Sequence, residues 1–283
     1  MNKALIIAGI VIIASSACTK EDNLLTVENK YIIDHTAINI SDIPDYWIEK
    51  AKEKLHIAYG HTSHGSQITT GMTGLVTFLG SEYAWNNGGA DGALDLHDYA
   101  MSGDLGSPNF TGWELETRDY LASNEDVNVI IWSWCGQVSY AAEENIDTYL
   151  GLMSGLEEDF PGVIFVYMTG HLDGTGLTGN LHLRNEQIRN YCKTNNKFLY
   201  DFADIESWDP DGNYYLDKAA NDGCYYDSNN DGTRDSNWAV DWQNAHTEGV
   251  DWYTCTAAHT QPLNANMKAY AAWHLWARIA GWS

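Results

Sequence analysis

The sequence VNVIIWSW, at residues 127–134, is a nearly continuous apolar run rich in Val and Ile. A strand without alternating polar residues is buried on both faces, which is typical of a parallel sheet covered by helices. Three similar runs lie at residues 55–59, 163–168 and 198–202. We therefore expect residues 127–134 to form a central strand of a parallel sheet.

Helical patterns lie between and after these strands. Apolar residues recur at helical spacing within residues 67–79, 143–158 and 182–195, and a last helix begins at Pro262. One more short strand is expected near residues 93–99. This alternation predicts one α/β domain, a doubly wound three-layer α/β/α sandwich with a parallel sheet.

The N-terminus has the order of an export signal. An apolar run at residues 5–13 follows a basic residue and precedes small residues and Cys18. The run is too short to span a bilayer, which needs roughly 20 residues. Residues 1–18 resemble a bacterial lipoprotein signal, which implies lipidation of Cys18 and anchoring to the cell envelope, at the outer membrane or the cell surface. Residues 19–33 are then a tether before the domain 34–283, whereas a plain secretory signal is the alternative.

The chain is strongly acidic. It contains 39 Asp and Glu against 15 Lys and Arg, a formal net charge of −24. Because binding to phosphates needs Lys and Arg, a nucleic acid is disfavoured as a partner, and the lipid anchor is the only membrane contact expected. Twelve Trp and seventeen Tyr suit either a carbohydrate ligand or a core. We expect a monomer.

Four cysteines follow the signal, and an exported chain permits disulfides. Four cysteines allow three connectivities. Cys224 and Cys255 flank a loop-rich segment and are the favoured pair, and Cys135 is left as a weak nucleophile candidate.

Polar residues follow three of the strands and precede the last helix. They lie at residues 60–66, 135–137, 169–174 and 257–260, and include Ser63. Ligands of open α/β sheets bind beyond the carboxyl ends of the strands, so these segments are expected to form one site.

The segments resemble the blocks of the SGNH (GDSL-like) hydrolase superfamily over about residues 55–282. Ser63 follows the first strand, Gln137 stands near the place of the family's Asn, and His259 precedes the last helix. The resemblance implies a flavodoxin-like sandwich and hydrolysis of esters, commonly acetyl groups on sugars. Thr256 stands where the family has the Asp that orients the histidine.

The resemblance assigns roles to these residues. A serine hydroxyl needs a base, which would be His259. The oxyanion donors would be the Ser63 N–H, the Gln137 side chain and the Gly106 N–H. A backbone carbonyl or a distant carboxylate such as Asp251 are the alternatives for the missing acid. Ser63 could instead cap a helix.

Further histidines lie in the same segments. His61, His64 and His171, with Asp173, are expected to bind substrate hydroxyls. The three histidines are alternatively zinc ligands, although no HExxH motif is present.

Residues 227–235 resemble a calcium loop within an insertion at residues 204–254. The five ligands of this loop would be Asp227, Asn229, Asp231, Thr233 and Asp235. The Glu expected at position 12 of the full pattern is replaced by Trp238, for which Asp241 is a possible substitute. A structural Ca²⁺ is predicted, with a merely polar turn as the alternative.

Together these features predict an extracytoplasmic serine esterase that deacylates a polysaccharide or oligosaccharide. A non-catalytic glycan-binding lipoprotein on the same fold is the first alternative, and a zinc-dependent hydrolase is the second.

Overall fold

A computed structural model describes residues 29–283. The predicted signal with Cys18 and the first part of the predicted tether lie outside the described residues. The last two residues of the predicted tether belong to the domain, because Ile32–Ile33 form a buried strand. These two residues pair with Leu199 and Tyr200, so they belong to the sheet.

The main sheet has seven strands, and all are parallel. In chain order they are β1 (Ile32–Ile33), β2 (His56–Gly60), β3 (Trp85–Asn86), β4 (Leu94–Asp98), β5 (Val129–Trp132), β6 (Ile164–Met168) and β7 (Leu199–Tyr200). Their spatial order is β1-β7-β6-β5-β2-β4-β3. The predicted strands are all present, including the one expected near residues 93–99.

Helices cover both faces of the sheet. They are α1 (Asp45–Lys54), α2 (Ser66–Phe78), α3 (Gly112–Ser123), α4 (Glu143–Asp159), α5 (Asn180–Asn195), α6 (Phe202–Ile205), α7 (Trp238–Ala245) and α8 (Pro262–Ala280). Helices α1, α2 and α8 pack together, as do α3, α4 and α5. The predicted three-layer α/β/α architecture is confirmed. Within residues 29–283, no helix has the length and apolar character that a membrane span requires.

The strand order reverses beside β2. After β2 the chain forms β3 and β4 on one side of β2, and it then crosses to β5, which pairs with β2 on the other side. A crevice opens at such a point because successive connections leave the sheet in opposite directions. The loops after β2 and β5 carry Ser63 and Cys135, so both residues lie at this switch point.

A close helix contact sets the distance between the Ser63 and His259 loops. Helix α2 directly follows the Ser63 loop, and α8 directly follows the His259 loop. A Cβ on Gly71 of α2 would lie 2.1 Å from the carbonyl oxygen of Ala265 on α8. Glycine at residue 71 therefore allows the two helix backbones to touch, which draws their preceding loops together.

The segment 204–254 is ordered by side chains that join the core of the domain. It contains α7 and a two-stranded antiparallel sheet, β8 (Tyr225–Tyr226) and β9 (Ser236–Asn237). Trp238 is buried at the start of α7 and stacks on Tyr215 with ring centroids 5.8 Å apart. Trp238 thus anchors the insertion, which explains why no carboxylate occupies this position.

The expected disulfide between Cys224 and Cys255 is not formed. Among residues 29–283 the four cysteines are all free thiols. Cys224 Sγ lies 3.4 Å from Thr260 Oγ1, and Cys255 Sγ lies 3.8 Å from Asn266 Nδ2. Each thiol faces a different polar partner, and neither reaches the other.

Candidate active site

Ser63 and His259 meet at the switch point. His259 Nε2 lies 3.0 Å from Ser63 Oγ, within the reach required of a nucleophile and its base. Ser63 is half-buried and His259 is exposed, so the pair is open to solvent on one side. Ser63 does not cap α2, because Gly65 occupies the cap position without a side-chain bond. The two residues predicted to form a catalytic pair are therefore adjacent.

The backbone of His259 is held in an unusual conformation. Its φ is 64°, in the left-handed region that non-glycine residues seldom adopt. The preceding carbonyl, of Ala258, accepts a 2.7 Å hydrogen bond from Gln67 Nε2. This bond fixes the chain beside the residue whose imidazole meets Ser63.

A buried charge network supports Gln67. Lys268 Nζ contacts Gln67 Oε1 and lies 2.5 Å from Glu206 Oε1, and Lys268 exposes no surface. Burial lowers the pKa of Lys268, against the opposing charge and hydrogen bond of Glu206. Glu206 Oε2 also accepts the Leu172 N–H at 2.8 Å, beside His171. The network therefore joins the His259 loop to the His171 loop, and sequence reasoning overlooked it although Lys268 interrupts an apolar helix.

Asp222 places a carboxylate beside the imidazoles of His64 and His259. Its oxygen and one ring nitrogen each of His64 and His259 all lie within 4.8 Å of one another. Burial raises the pKa of Asp222, but the hydrogen bond from His64 and the neighbouring His171 outweigh burial and hold that pKa below its usual value. Asp251, the acid considered from the sequence, accepts the Thr247 N–H at 2.8 Å instead. No sequence signal distinguished Asp222 among the acidic residues of the insertion.

Three imidazoles form a stack. The His64 ring lies 3.6 Å from that of His171 at 2°, and 4.4 Å from that of His259 at 11°. Burial lowers the pKa of His64, and His171 lowers it further, against the hydrogen bond to Asp222. His64 is therefore disposed to be a neutral base, held on both faces by neighbouring rings.

The zinc hypothesis built on His61, His64 and His171 does not fit this geometry. A zinc ion lies in the plane of each imidazole ligand at about 2.0–2.1 Å from the nitrogen. The parallel rings of His64 and His171 are 3.6 Å apart, so their lone pairs run side by side and do not converge. His61 lies outside the stack with both ring nitrogens engaged.

Both ring nitrogens of His61 and one carboxylate oxygen of Asp173 are engaged by protein groups. His61 is 1% exposed, its Nε2 lies 2.7 Å from Asp98 Oδ1, and its Nδ1 donates to Thr62 O at 2.8 Å. Asp173 Oδ1 accepts the N–H and hydroxyl of Thr175 at 2.9 and 2.6 Å. Both residues hydrogen-bond within or between loops, and their predicted role in binding substrate hydroxyls stays a prediction.

The predicted oxyanion donors differ in availability. Gln137 Oε1 accepts the Cys135 N–H at 2.9 Å, and Gln137 Nε2 donates to Asp104 Oδ2 at 3.3 Å. Thr62 donates to Asp104 Oδ1 at 2.5 Å, which ties the Gly106 loop to the Ser63 loop. The Gln137 amide is thus already hydrogen-bonded to Cys135 and Asp104. The backbone N–H groups of Ser63 and Gly106 remain the candidate donors to the oxyanion.

The predicted calcium loop has the expected turn. Gly232 has a φ of 88°, and its N–H donates to Asp227 Oδ2 at 2.7 Å. Asp235 Oδ1 accepts the Ser228 N–H at 3.1 Å, and Asp231 Oδ1 accepts the Thr233 N–H at 2.8 Å.

The carboxylates of this loop do not converge. In the described part of the chain, the groups of three or more ligand atoms within 4.8 Å do not include Asp227, Asp231 and Asp235. Asn229 Oδ1 accepts the Asp231 N–H at 3.0 Å. The turn fits a cation loop and the arrangement of its carboxylates does not, so the calcium site stays a prediction.

Three exposed tyrosines lie in the segments that carry the candidate site residues. Of the twelve tryptophans, six are buried and six are half-buried. Tyr99 follows β4, Tyr140 lies after β5, and Tyr225 lies near Asp222; they are 56%, 69% and 47% exposed. These three tyrosines therefore offer exposed ring faces in the segments that follow β4 and β5 and in the insertion.

No protein-family model, curated protein or solved structure matches this chain.

Proposed function

We propose that the protein is a serine esterase of SGNH type that removes acyl groups from a carbohydrate outside the cytoplasm. The observation that carries the proposal is the 3.0 Å contact between Ser63 Oγ and His259 Nε2 at the switch point of a parallel sheet. Ligands of such sheets bind at this point. Nucleophile and base therefore lie where a substrate would be held.

The reaction follows from the pair. His259 Nε2 takes the hydroxyl proton as Ser63 Oγ attacks the acyl carbon. The N–H groups of Ser63 and Gly106 would stabilise the oxyanion. His259 then returns the proton to the departing alcohol, and water releases the acyl group from Ser63 by the same steps in reverse order. Asp222 favours the imidazolium through its negative charge, since its carboxylate lies within 4.8 Å of a His259 nitrogen.

A carbohydrate substrate is supported by the rim of the site. Sugar rings pack on exposed aromatic faces, and Tyr99, Tyr140 and Tyr225 supply such faces. The exposure of His259 leaves room for a leaving group that belongs to a large chain. The acidic surface suits a neutral glycan better than a polyanion.

Labelling and turnover test this proposal together. A fluorophosphonate should label Ser63, and Ser63→Ala should reduce release of acetate from an acetylated xylan or chitin oligomer by about 10³-fold or more. Ser139→Ala is a matched control, because Ser139 is half-buried beyond β5 and its hydroxyl has no protein partner among the described residues. Equal activity of the wild type and Ser63→Ala, with no label at residue 63, would refute the proposal.

A non-catalytic glycan-binding role is the second candidate. One observation favours it: His259 Nδ1 has no hydrogen-bond partner among residues 29–283, so the base lacks an orienting acid of the usual kind. Loss of that orientation costs triad enzymes on the order of 10⁴ in rate. Glycan binding by calorimetry, without release of acetate from any acetylated oligomer, would select this role.

The proposed location is tested separately. Cys18→Ser should release the protein from the membrane fraction of a bacterial host, and radiolabelled palmitate should mark only the wild type.

A further inference from the structure

A second nucleophile lies beside Ser63. Cys135 follows β5, its Sγ is 4.0 Å from Ser63 Oγ, and the residue is half-buried. Gln137 Oε1 accepts a 2.9 Å hydrogen bond from the Cys135 N–H, and this bond fixes the backbone that carries the thiol. The serine mechanism uses neither this thiol nor His64.

The thiol has its own base. His64 Nδ1 lies 3.2 Å from Cys135 Sγ, and His64 Nε2 lies 3.0 Å from Asp222 Oδ2. A carboxylate only accepts, so Nε2 carries the proton and donates it to Asp222. Burial lowers the pKa of His64, which keeps the ring neutral. The lone pair of Nδ1 therefore faces the thiol and can take its proton.

The base is also fixed in place. His64 is 7% exposed and is stacked between the rings of His171 and His259. His171 is itself 8% exposed, and its Nε2 has no hydrogen-bond partner. A buried polar atom without a partner is unfavourable, and a hydrogen bond from a bound ligand would remove that cost. This unpartnered nitrogen beside His64 points independently to a ligand.

We propose that Cys135, His64 and Asp222 form a second nucleophile–base–acid set, through which the protein cleaves esters or thioesters by way of an acyl group on Cys135. Nucleophile, base and orienting acid are each within hydrogen-bond reach of the next, as such a mechanism requires. The Ser63 pair lacks that third member. The proposal goes beyond the serine esterase and does not depend on it.

The steps balance. Sγ attacks the acyl carbon, the S–C bond forms, and the thiol proton passes to His64 Nδ1. The bond from the acyl carbon to the leaving oxygen or sulfur breaks, and that atom takes the proton from Nδ1. Water then adds to the acyl carbon, the S–C bond breaks, one water proton returns through His64 to the thiolate, and a carboxylic acid leaves. No metal, oxidant or reductant is consumed.

Acyl trapping tests the proposal in the full-length chain. Ser63→Ala is incubated with p-nitrophenyl acetate, quenched in acid, digested and analysed by mass spectrometry. An acetyl group on the peptide of Cys135, removed by hydroxylamine and at least about tenfold weaker in Ser63→Ala/His64→Asn, is expected. Circular dichroism and the thermal midpoint verify that both variants fold.

The outcomes separate the two proposals. Hydrolysis by the wild type, with no acetyl group on Cys135 in folded Ser63→Ala, overturns the cysteine mechanism and leaves the serine esterase standing. Acetylated Cys135 with unchanged turnover in Ser63→Ala overturns the serine esterase and supports the cysteine. Acetylation of Cys135 that is unchanged by His64→Asn also overturns the proposed set.

A measurement on the unmutated chain serves if a variant fails to fold. Cys255 is an internal control, since it is half-buried like Cys135 but lies beside Asn266 and Pro262 with no imidazole. Burial raises the pKa of Cys255 to about 11. Iodoacetamide should alkylate Cys135 at least about tenfold faster than Cys255 at neutral pH. Equal rates, or faster alkylation of Cys255, would overturn the proposal.

Discussion

Gln67 Nε2 donates a 2.7 Å hydrogen bond to the carbonyl oxygen of Ala258, and this bond joins the two halves of the candidate site. Gln67 lies in the first turn of α2, directly after the Ser63 loop, and Ala258 directly precedes His259. Because Gln67 is fully buried, no water competes for the bond. The separation of nucleophile and base thus depends on a side chain that touches neither.

Replacing Gln67 with Leu should lower activity more than substrate binding. The Ala258 carbonyl loses its donor, so the His259 loop can shift, and a displacement of about 1 Å can cost 10²-fold in rate. We expect kcat to fall about 10²-fold with a smaller change in KM for an acetylated oligomer. Gln187→Leu is the control, because Gln187 donates to Asp147 at 2.6 Å on the other face of the sheet. A similar loss in both variants would contradict the positioning role.

Lys268→Met should destabilise the fold. Lys268 and Glu206 expose no side-chain surface, so removing the cation leaves a buried carboxylate without its partner. Breaking such a pair costs about 3–5 kcal/mol. Urea unfolding should show this loss for Lys268→Met and less than about 1 kcal/mol for Lys193→Met, whose side chain is exposed. A double variant that also carries Glu206→Gln should recover part of the loss.

His64 should make stability depend on pH. Its folded pKa lies below the ordinary value of 6.5, so the unfolded chain binds more protons between those two values. The free energy of unfolding therefore falls as pH drops below about 6.5. His35, whose pKa is raised, acts in the opposite sense, so the difference between wild type and His64→Gln is the quantity to measure. Urea unfolding between pH 5 and 8 should give a shallower slope for His64→Gln, and identical slopes would contradict the assignment.

Calcium should raise the thermal midpoint if residues 227–235 gather around it. A ligand present at 100 times its Kd adds about 2.7 kcal/mol, or about 5 °C for a domain of this size. Asp231→Asn should abolish the shift. Asp211→Asn, a neighbouring exposed aspartate outside the loop, should keep it. The absence of any shift in the wild type would leave the loop as a polar turn ordered by its own N–H groups.

The apolar runs located the sheet and the Ser63 loop, whereas the pairing of Ser63 with His259 came from the resemblance to the SGNH hydrolases. Runs such as VIIW of β5 have no polar residue, so they had to be buried on both faces, and the carboxyl ends of such strands meet at one edge. The pairing of β1 with β7 could not be predicted from the sequence, because a strand of two residues is too short to show a pattern of apolar residues. For that reason Ile32–Ile33 were assigned to the tether.

The roles of the remaining site residues depend on contacts between segments that are distant in the sequence. Asp222 is one carboxylate among many in the insertion, and only the fold brings it to within 3.0 Å of His64. Likewise, His61 and His64 lie three residues apart in one polar loop, yet one is held by Asp98 and the other faces Cys135. Spacing along the chain could not separate these roles, because the side chains leave the loop in different directions.

Tyr99 should contribute to carbohydrate binding. Its ring is 56% exposed and lies 4.0 Å from that of His61, which Asp98 and Thr62 hold in place. A fixed ring face loses little entropy when a sugar packs on it, so Tyr99→Ala should raise KM for an acetylated oligosaccharide by about tenfold, equivalent to 1.4 kcal/mol. KM for p-nitrophenyl acetate, which is too small to reach the rim, should change little. Tyr99→Phe keeps the ring and should retain most of the affinity, so an equal loss in Tyr99→Phe and Tyr99→Ala would assign the effect to the hydroxyl and not to stacking.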